Sequence, residues 1–128
     1  MKRLLLDTDA CIEIIRGNPA PLDQHPDVTI FLSTISRFEI LSGLRKSRGG
    51  KREQRARAFL DAVETLIFDE AAADRSAAVR LYLEGKGTPI GAYDLLLAGH
   101  ALALDCPILT GNVREFSRVP KLEIATWR

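Results

Sequence analysis

The chain is poor in the features that mark several common protein classes. Cysteine occurs twice, as Cys11 and Cys106, with no second cysteine near either. A cysteine-rich zinc site and a disulfide framework are thereby excluded, and both thiols are expected as small buried hydrophobes in a reducing cytosol. No apolar run approaches the roughly 20 residues needed to span a bilayer. The opening MKRLLLDTD reads as a strand rather than a signal peptide, because Asp7 follows the apolar run at once and no small-residue cleavage site appears. Neither sign of charge dominates: the net is +1, so no global field marks a nucleic-acid binder. Aromatic residues make up 6%, without the interleaved aromatic–basic pattern of a base-stacking surface. The glycines of GKGTPIG do not form a phosphate-cradling loop, and no GxGxxG follows a strand. His25 and His100 stand far apart, and His100 is expected to pack or cap.

What remains is the profile of a folded globular chain, with 46% hydrophobic and 27% charged residues in 128. One domain over 1–128 is expected, long enough to bury about two-thirds of its unfolded surface. Apolar runs at 2–6 (KRLLL) and 28–32 (VTIFL) read as buried strands. Thr8 or Asp9 is expected to cap a first helix that Gly17 ends, with loop from Gly17 to Pro26. A helix beginning near Ser33 breaks at Gly49-Gly50 and resumes over 51–66. LIFD (66–69) is a strand candidate, 70–84 an alanine-rich helix, and 92–104 strongly helical. PILT, NVREF and LEIAT read as a strand, a helical turn and a terminal strand. Strands alternating with helices predict a mostly parallel sheet covered on both faces.

Four side chains stand beside these elements: Asp7, Glu39, Asp94 and Asn112. Ligands of open parallel sheets bind beyond the carboxyl ends of the strands, and the layout can bring all four there. Each has a purely structural reading. Asp7 can cap a helix, Glu39 follows Ser36 at capping-box spacing, Asp94 can complement a helix dipole, and Asn112 suits a turn. Together they suggest oxygen ligands for Mg²⁺ or Mn²⁺, ions that serve phosphodiester cleavage. Three converging carboxylates repel one another unless a cation relieves them. From Arg45 to Arg57 the chain carries seven Lys or Arg and a single Glu; this run is either a solvated helix start and loop or a phosphate-contacting patch.

These residues lie in LLLDTDACIEIIRG, STISRFEILSGL, GTPIGAYDLLLAGHAL and LTGNVREFSRVPKLEIATW. In these segments the chain resembles a PIN-domain ribonuclease of the VapC type, the toxin of bacterial type II toxin–antitoxin pairs. The resemblance implies a three-layer α/β/α PIN-like domain and a cytoplasmic, metal-dependent endoribonuclease. It places Asp7, Glu39 and Asp94 on the family's acidic, metal-holding site and Asn112 on its fourth position, often Asp, so the site carries one charge fewer. Asp9 sits where many relatives have Asn, and Thr8 and Thr110 would orient the carboxylates. A water acidified by one or two Mg²⁺ or Mn²⁺ ions would attack RNA, with tRNA a frequent target of relatives, and Glu39 would position or deprotonate that water. A homodimer and a silencing VapB-type antitoxin are also implied.

Two other readings fit parts of the chain. LLLDTD also matches the Asp-x-Asp of a haloacid-dehalogenase-like phosphatase, with Asp7 as nucleophile and Asp9 as acid–base, although the usual continuation and the later acidic pair are missing. The Asn112 departure alone favours an inactive PIN scaffold that binds RNA or protein without cutting.

Overall fold

The computed structural model describes residues 2–46 and 49–128. Strand β1 (Lys2–Leu6) leads into helix α1 (Thr8–Ile15), followed by the single turn α2 (Ala20–Asp23), β2 (Val28–Ser33) and α3 (Thr34–Lys46). Then come α4 (Gly50–Ala62), β3 (Glu64–Leu66), α5 (Glu70–Gly85) and α6 (Ala92–Leu104). Strand β4 (Ile108–Leu109), the short α7 (Val113–Phe116) and β5 (Ile124–Ala125) complete the order. All strand pairs are parallel, in the order β3-β2-β1-β4-β5.

The pleat of β1 explains the layers. Leu4 and Leu6 face a core with Cys11, Ile15, Ile40, Leu44 and Phe59, supplied by α1, α3 and α4. Leu5 faces the opposite core with Val79, Leu83, Leu97 and Phe116. A strand buried on both faces reads as an unbroken apolar run, which is why LLL is not alternating. The expected three-layer arrangement is therefore present, and both cysteines are buried and free.

Several local expectations need correction. The segment after Gly17 is not all loop: Pro19 and Pro21 sit at the start of α2, where a missing N–H costs nothing. The helix expected over 51–66 ends at Ala62, and β3 occupies 64–66 rather than 66–69. There Val63 is already extended, and Phe31 to Ser33 of β2 offer a pairing edge that outweighs helix periodicity. Asp7, not Thr8 or Asp9, caps α1. Ser36 lies inside α3 instead of capping it, so the capping-box reading of Glu39 fails. Of the basic run, Ser47 and Arg48 lie outside the described residues, and the part from Gly50 onward is helix, as the helix expected from 51 has it.

One close approach holds α5 against α6. A Cβ on Gly99 would lie 2.0 Å from Ser76 Oγ and 2.6 Å from the Ser76 Cα and N. Backbone cannot step aside as a side chain tip can. Gly99→Ala is expected to cost about 3 kcal/mol, the upper part of the overpacking range; an unchanged denaturant midpoint would refute this. His100 beside it is buried, its Nδ1 2.9 Å from Ser33 Oγ, and its ring meets the edge of Phe68. It packs, as expected, and burial lowers its pKa.

Candidate active site

Strand order sets the position of the site. From β1 the chain passes to β2 and β3 on one side, then returns to place β4 on the other. The crevice at this reversal opens beyond the carboxyl ends of β1 and β4, where the first helix turns leave ligand-binding space. Asp7 and Thr110 stand directly after those two strands.

Asp7 is 2% exposed. Its Oδ1 accepts the Ala10 N–H at 2.8 Å, and the Thr110 hydroxyl bonds to the same carboxylate. Burial nevertheless pushes its pKa up to about 6, assisted by the negative charges of Asp9 and Glu39. Thr110 Oγ1 also accepts the Asn112 N–H at 2.8 Å, so one hydroxyl ties the β4 end to the β1 end.

Glu39 faces the same crevice from α3. Its Oε1 accepts from Thr8 Oγ1 at 2.6 Å, and that oxygen lies 2.9 Å from Ser36 Oγ. Thr8 has one proton to give. With it committed to Glu39, Ser36 must donate to Thr8, and the three side chains form an ordered relay ending on the carboxylate. Thr8 and Thr110 thus both hold carboxylates, as the resemblance implied.

Asp94 lies in the first turn of α6. Its pKa is pushed up to about 7, first by burial and then by Glu115, whose carboxylate repels it and accepts its proton in a hydrogen bond; Asp7 and Asp9 add to the effect. Glu115 is the residue that sequence reasoning missed. Its Oε1 accepts the Gly91 N–H at 2.7 Å and its Oε2 accepts Asn112 Nδ2 at 2.8 Å. Burial raises the Glu115 pKa, but those two donors, the Asp94 proton and Arg118 outweigh it, so Glu115 stays ionised below its usual range. Asn112 therefore grips a carboxylate with its amide. A signal existed in NVREF: Glu115 is three residues past Asn112, the spacing that puts two side chains on one helical face.

The structure thus links Asp7 electrostatically to Asp9, Glu39 and Asp94, and Asp94 to Glu115 with its Asn112 clamp. Among the described residues, no three His, Cys, Asp or Glu side chains already stand as a closed set of ligands for one ion. Such a cage is not what Mg²⁺ requires; it keeps several waters and takes one or two carboxylates. An all-oxygen donor set, two of whose members have pKa values raised by burial and neighbouring negative charge, suits a hard divalent cation.

Among its described residues, the basic run reaches the site at Arg52. Arg52 of α4 and Glu39 line the same small groove, together with Ile12, Arg16, Ile40, Gly43 and Leu44. Arg57 is instead engaged by Glu53 at 2.9 Å.

Residues 4–122 match the PIN domain family model. The chain is 33% identical to the tRNA(fMet)-specific endonuclease VapC of Salmonella typhimurium, over 99% of both chains. It is 32% identical to ribonuclease VapC2 of Rickettsia felis, over 96% of both. The fold superposes on the DNA-bound VapBC structure from Salmonella typhimurium with a TM-score of 0.87, 32% identity and 100% of each chain covered. These likenesses set aside the dehalogenase-like alternative, which shares only the Asp-x-Asp spacing. The chain belongs to the PIN-domain family, among the VapC ribonucleases that act as toxins of toxin–antitoxin systems.

Proposed function

We propose that this protein, as one PIN domain over its 128 residues, cleaves RNA endonucleolytically with Mg²⁺ or Mn²⁺ held chiefly by Asp7 and Asp94. PIN nucleases are typically metal-dependent. The observation that carries the reading is the pair of raised carboxylates across the β1/β4 crevice, Asp7 at about 6 and Asp94 at about 7. Burial and acidic neighbours make both resist ionising, and a cation between them would let both carry their charge. When bound, such an ion supplies Lewis acidity toward the phosphodiester and the attacking water.

The remaining groups have separable tasks. Glu39, oriented by Thr8 and Ser36, receives the proton of the attacking water or fixes that water in place. Glu115 sets the protonation of Asp94, and Asn112 and the Gly91 N–H keep Glu115 in position. Arg52, at the groove that Glu39 borders, is placed to meet a backbone phosphate.

The substrate class follows from the relatives, of which the Salmonella typhimurium protein is named a tRNA(fMet)-specific endonuclease; tRNA is accordingly the first RNA to test. That substrate puts the protein in the cytoplasm. Among the described residues no helix is long and apolar enough to cross a membrane. A cognate VapB-type antitoxin would silence it, as the VapBC complexes of relatives suggest. A homodimer is also proposed, on the resemblance alone.

The test is cleavage of total and transfer RNA by purified, antitoxin-free protein with Mg²⁺, with Mn²⁺ and with EDTA. Discrete products are expected only with metal. Undiminished cutting in EDTA would sink the metal assignment, and binding of RNA without any cutting would favour the scaffold reading.

A further inference from the structure

Two aromatic side chains lie next to the acids without belonging to either core. Phe38 precedes Glu39 on α3, and Tyr93 precedes Asp94 on α6. Their ring centroids are 5.9 Å apart with planes inclined at 55°. Each ring remains about half in solvent, Phe38 at 53% and Tyr93 at 46%. The pair thus bridges the two helices that supply two of the carboxylates, and its tilt leaves π-surface uncovered.

This placement needs a reason, since a half-exposed phenylalanine stabilises the fold less than a buried one. Carboxylates and a cation recognise the phosphodiester, which every nucleotide shares. They leave the base beside the scissile bond unheld. Each ring stands one residue from an acid, its side chain turned about 100° around the helix from the carboxylate. The base flanking the scissile phosphate, rather than the phosphate itself, would therefore meet it. Stacking on aromatic side chains holds bases of any identity, and only bases free of a duplex stack can reach it.

Building on the nuclease reading, we infer that Phe38 and Tyr93 form a stacking platform for an unpaired RNA base adjoining the scissile phosphate. The platform selects single-stranded segments and loops over duplex. It positions the backbone across the β1/β4 crevice and takes no part in proton transfer.

The test uses short single-stranded RNAs, each carrying one 2-aminopurine at a different position, with Ca²⁺ replacing Mg²⁺ so that binding is read without relying on cleavage. Wild-type protein is expected to quench the fluorescence at one or two positions, and much less with the same sequence as a duplex. Phe38→Leu/Tyr93→Leu keeps apolar volume but removes both π-faces. It is expected to lose the quenching and to raise KM at least about tenfold, with the loss falling on KM rather than kcat. Phe38→Tyr and Tyr93→Phe, which keep the rings, should retain quenching. Sedimentation velocity of each variant gives the third readout. Quenching that survives the double substitution would overturn the platform. So would a double variant that changes oligomeric state, because the rings would then belong to contact with a second copy. Failure of the nuclease reading shows separately, as wild-type protein that quenches but cuts nothing with Mg²⁺ or Mn²⁺.

Discussion

Asp7→Asn is expected to abolish metal-dependent cleavage of RNA and, at neutral pH, to make the metal-free protein more stable than the wild type. Loss of activity should exceed the roughly 100-fold seen when a ligand merely loses its supporting hydrogen bond. The stability gain follows from linkage. Asp7 has a folded pKa of about 6, above its ordinary 3.8, so between those values the folded state holds the proton more tightly than the unfolded state. The contribution of Asp7 to stability is therefore complete below about pH 4 and is lost as pH rises through 6. Asn carries no such charge, and it caps a helix as well as Asp does, so the Ala10 N–H keeps its acceptor. At pH 7.5 in EDTA the variant should be more stable on the order of 2–3 kcal/mol, and the difference should vanish near pH 4. Adding Mg²⁺ should stabilise the wild type while leaving the variant almost unmoved. Denaturant titrations at the two pH values, with and without metal, check each part. A variant–wild-type difference that does not grow from pH 4 to 7.5, or a variant less stable than the wild type at pH 7.5 in EDTA, would contradict the burial argument.

Glu115→Gln should lower activity and metal affinity by about 10- to 100-fold, as loss of a ligand's orienting partner does. Removing the Glu115 charge and its acceptor oxygen also removes a main reason that Asp94 keeps a proton. The Asp94 pKa should accordingly fall from about 7 toward the ordinary carboxylate range, although burial continues to hold it up. Carboxyl ¹³C titration of the metal-free protein reads the shift, and calorimetry with Mn²⁺ reads the affinity. An Asp94 titration that stays in place would show that burial alone sets it, and Glu115 would be no more than the clamp's counterweight. Removing only the clamp, with Asn112→Ala, should give a smaller loss in the same direction, because the Gly91 N–H still holds the other oxygen at 2.7 Å.

Much of the molecule could be read from local pattern. The unbroken LLL ending at Asp7 marked a strand buried on both faces, and the stretch at 92–104 marked α6 to within a residue. Thr8 and Thr110 were expected beside carboxylates and are found there. Where local reading failed, a partner from elsewhere had intervened. The end of α4 gave way to pairing of β3 with β2. Ser36, spaced as a cap for Glu39, bonds instead to Thr8. Phe38 looked like one more apolar residue on a helix, and its exposure beside Tyr93 could not be seen without the docking of α3 against α6.

By itself, then, the sequence determined the α/β alternation, the strand ends that carry Asp7 and Thr110, the acidic and oxygen-rich character of the site, and the resemblance that named its chemistry. Those properties reside in hydrophobic period, turn residues and short motifs, each legible within a few neighbouring positions. The tertiary structure alone decided the strand order that opens the crevice, the meeting of Glu115 with Asp94, the direction of the Ser36–Thr8–Glu39 relay and the rise of two carboxyl pKa values. All of these depend on distances between segments far apart in the chain and on the water that packing removes, and no local propensity encodes either.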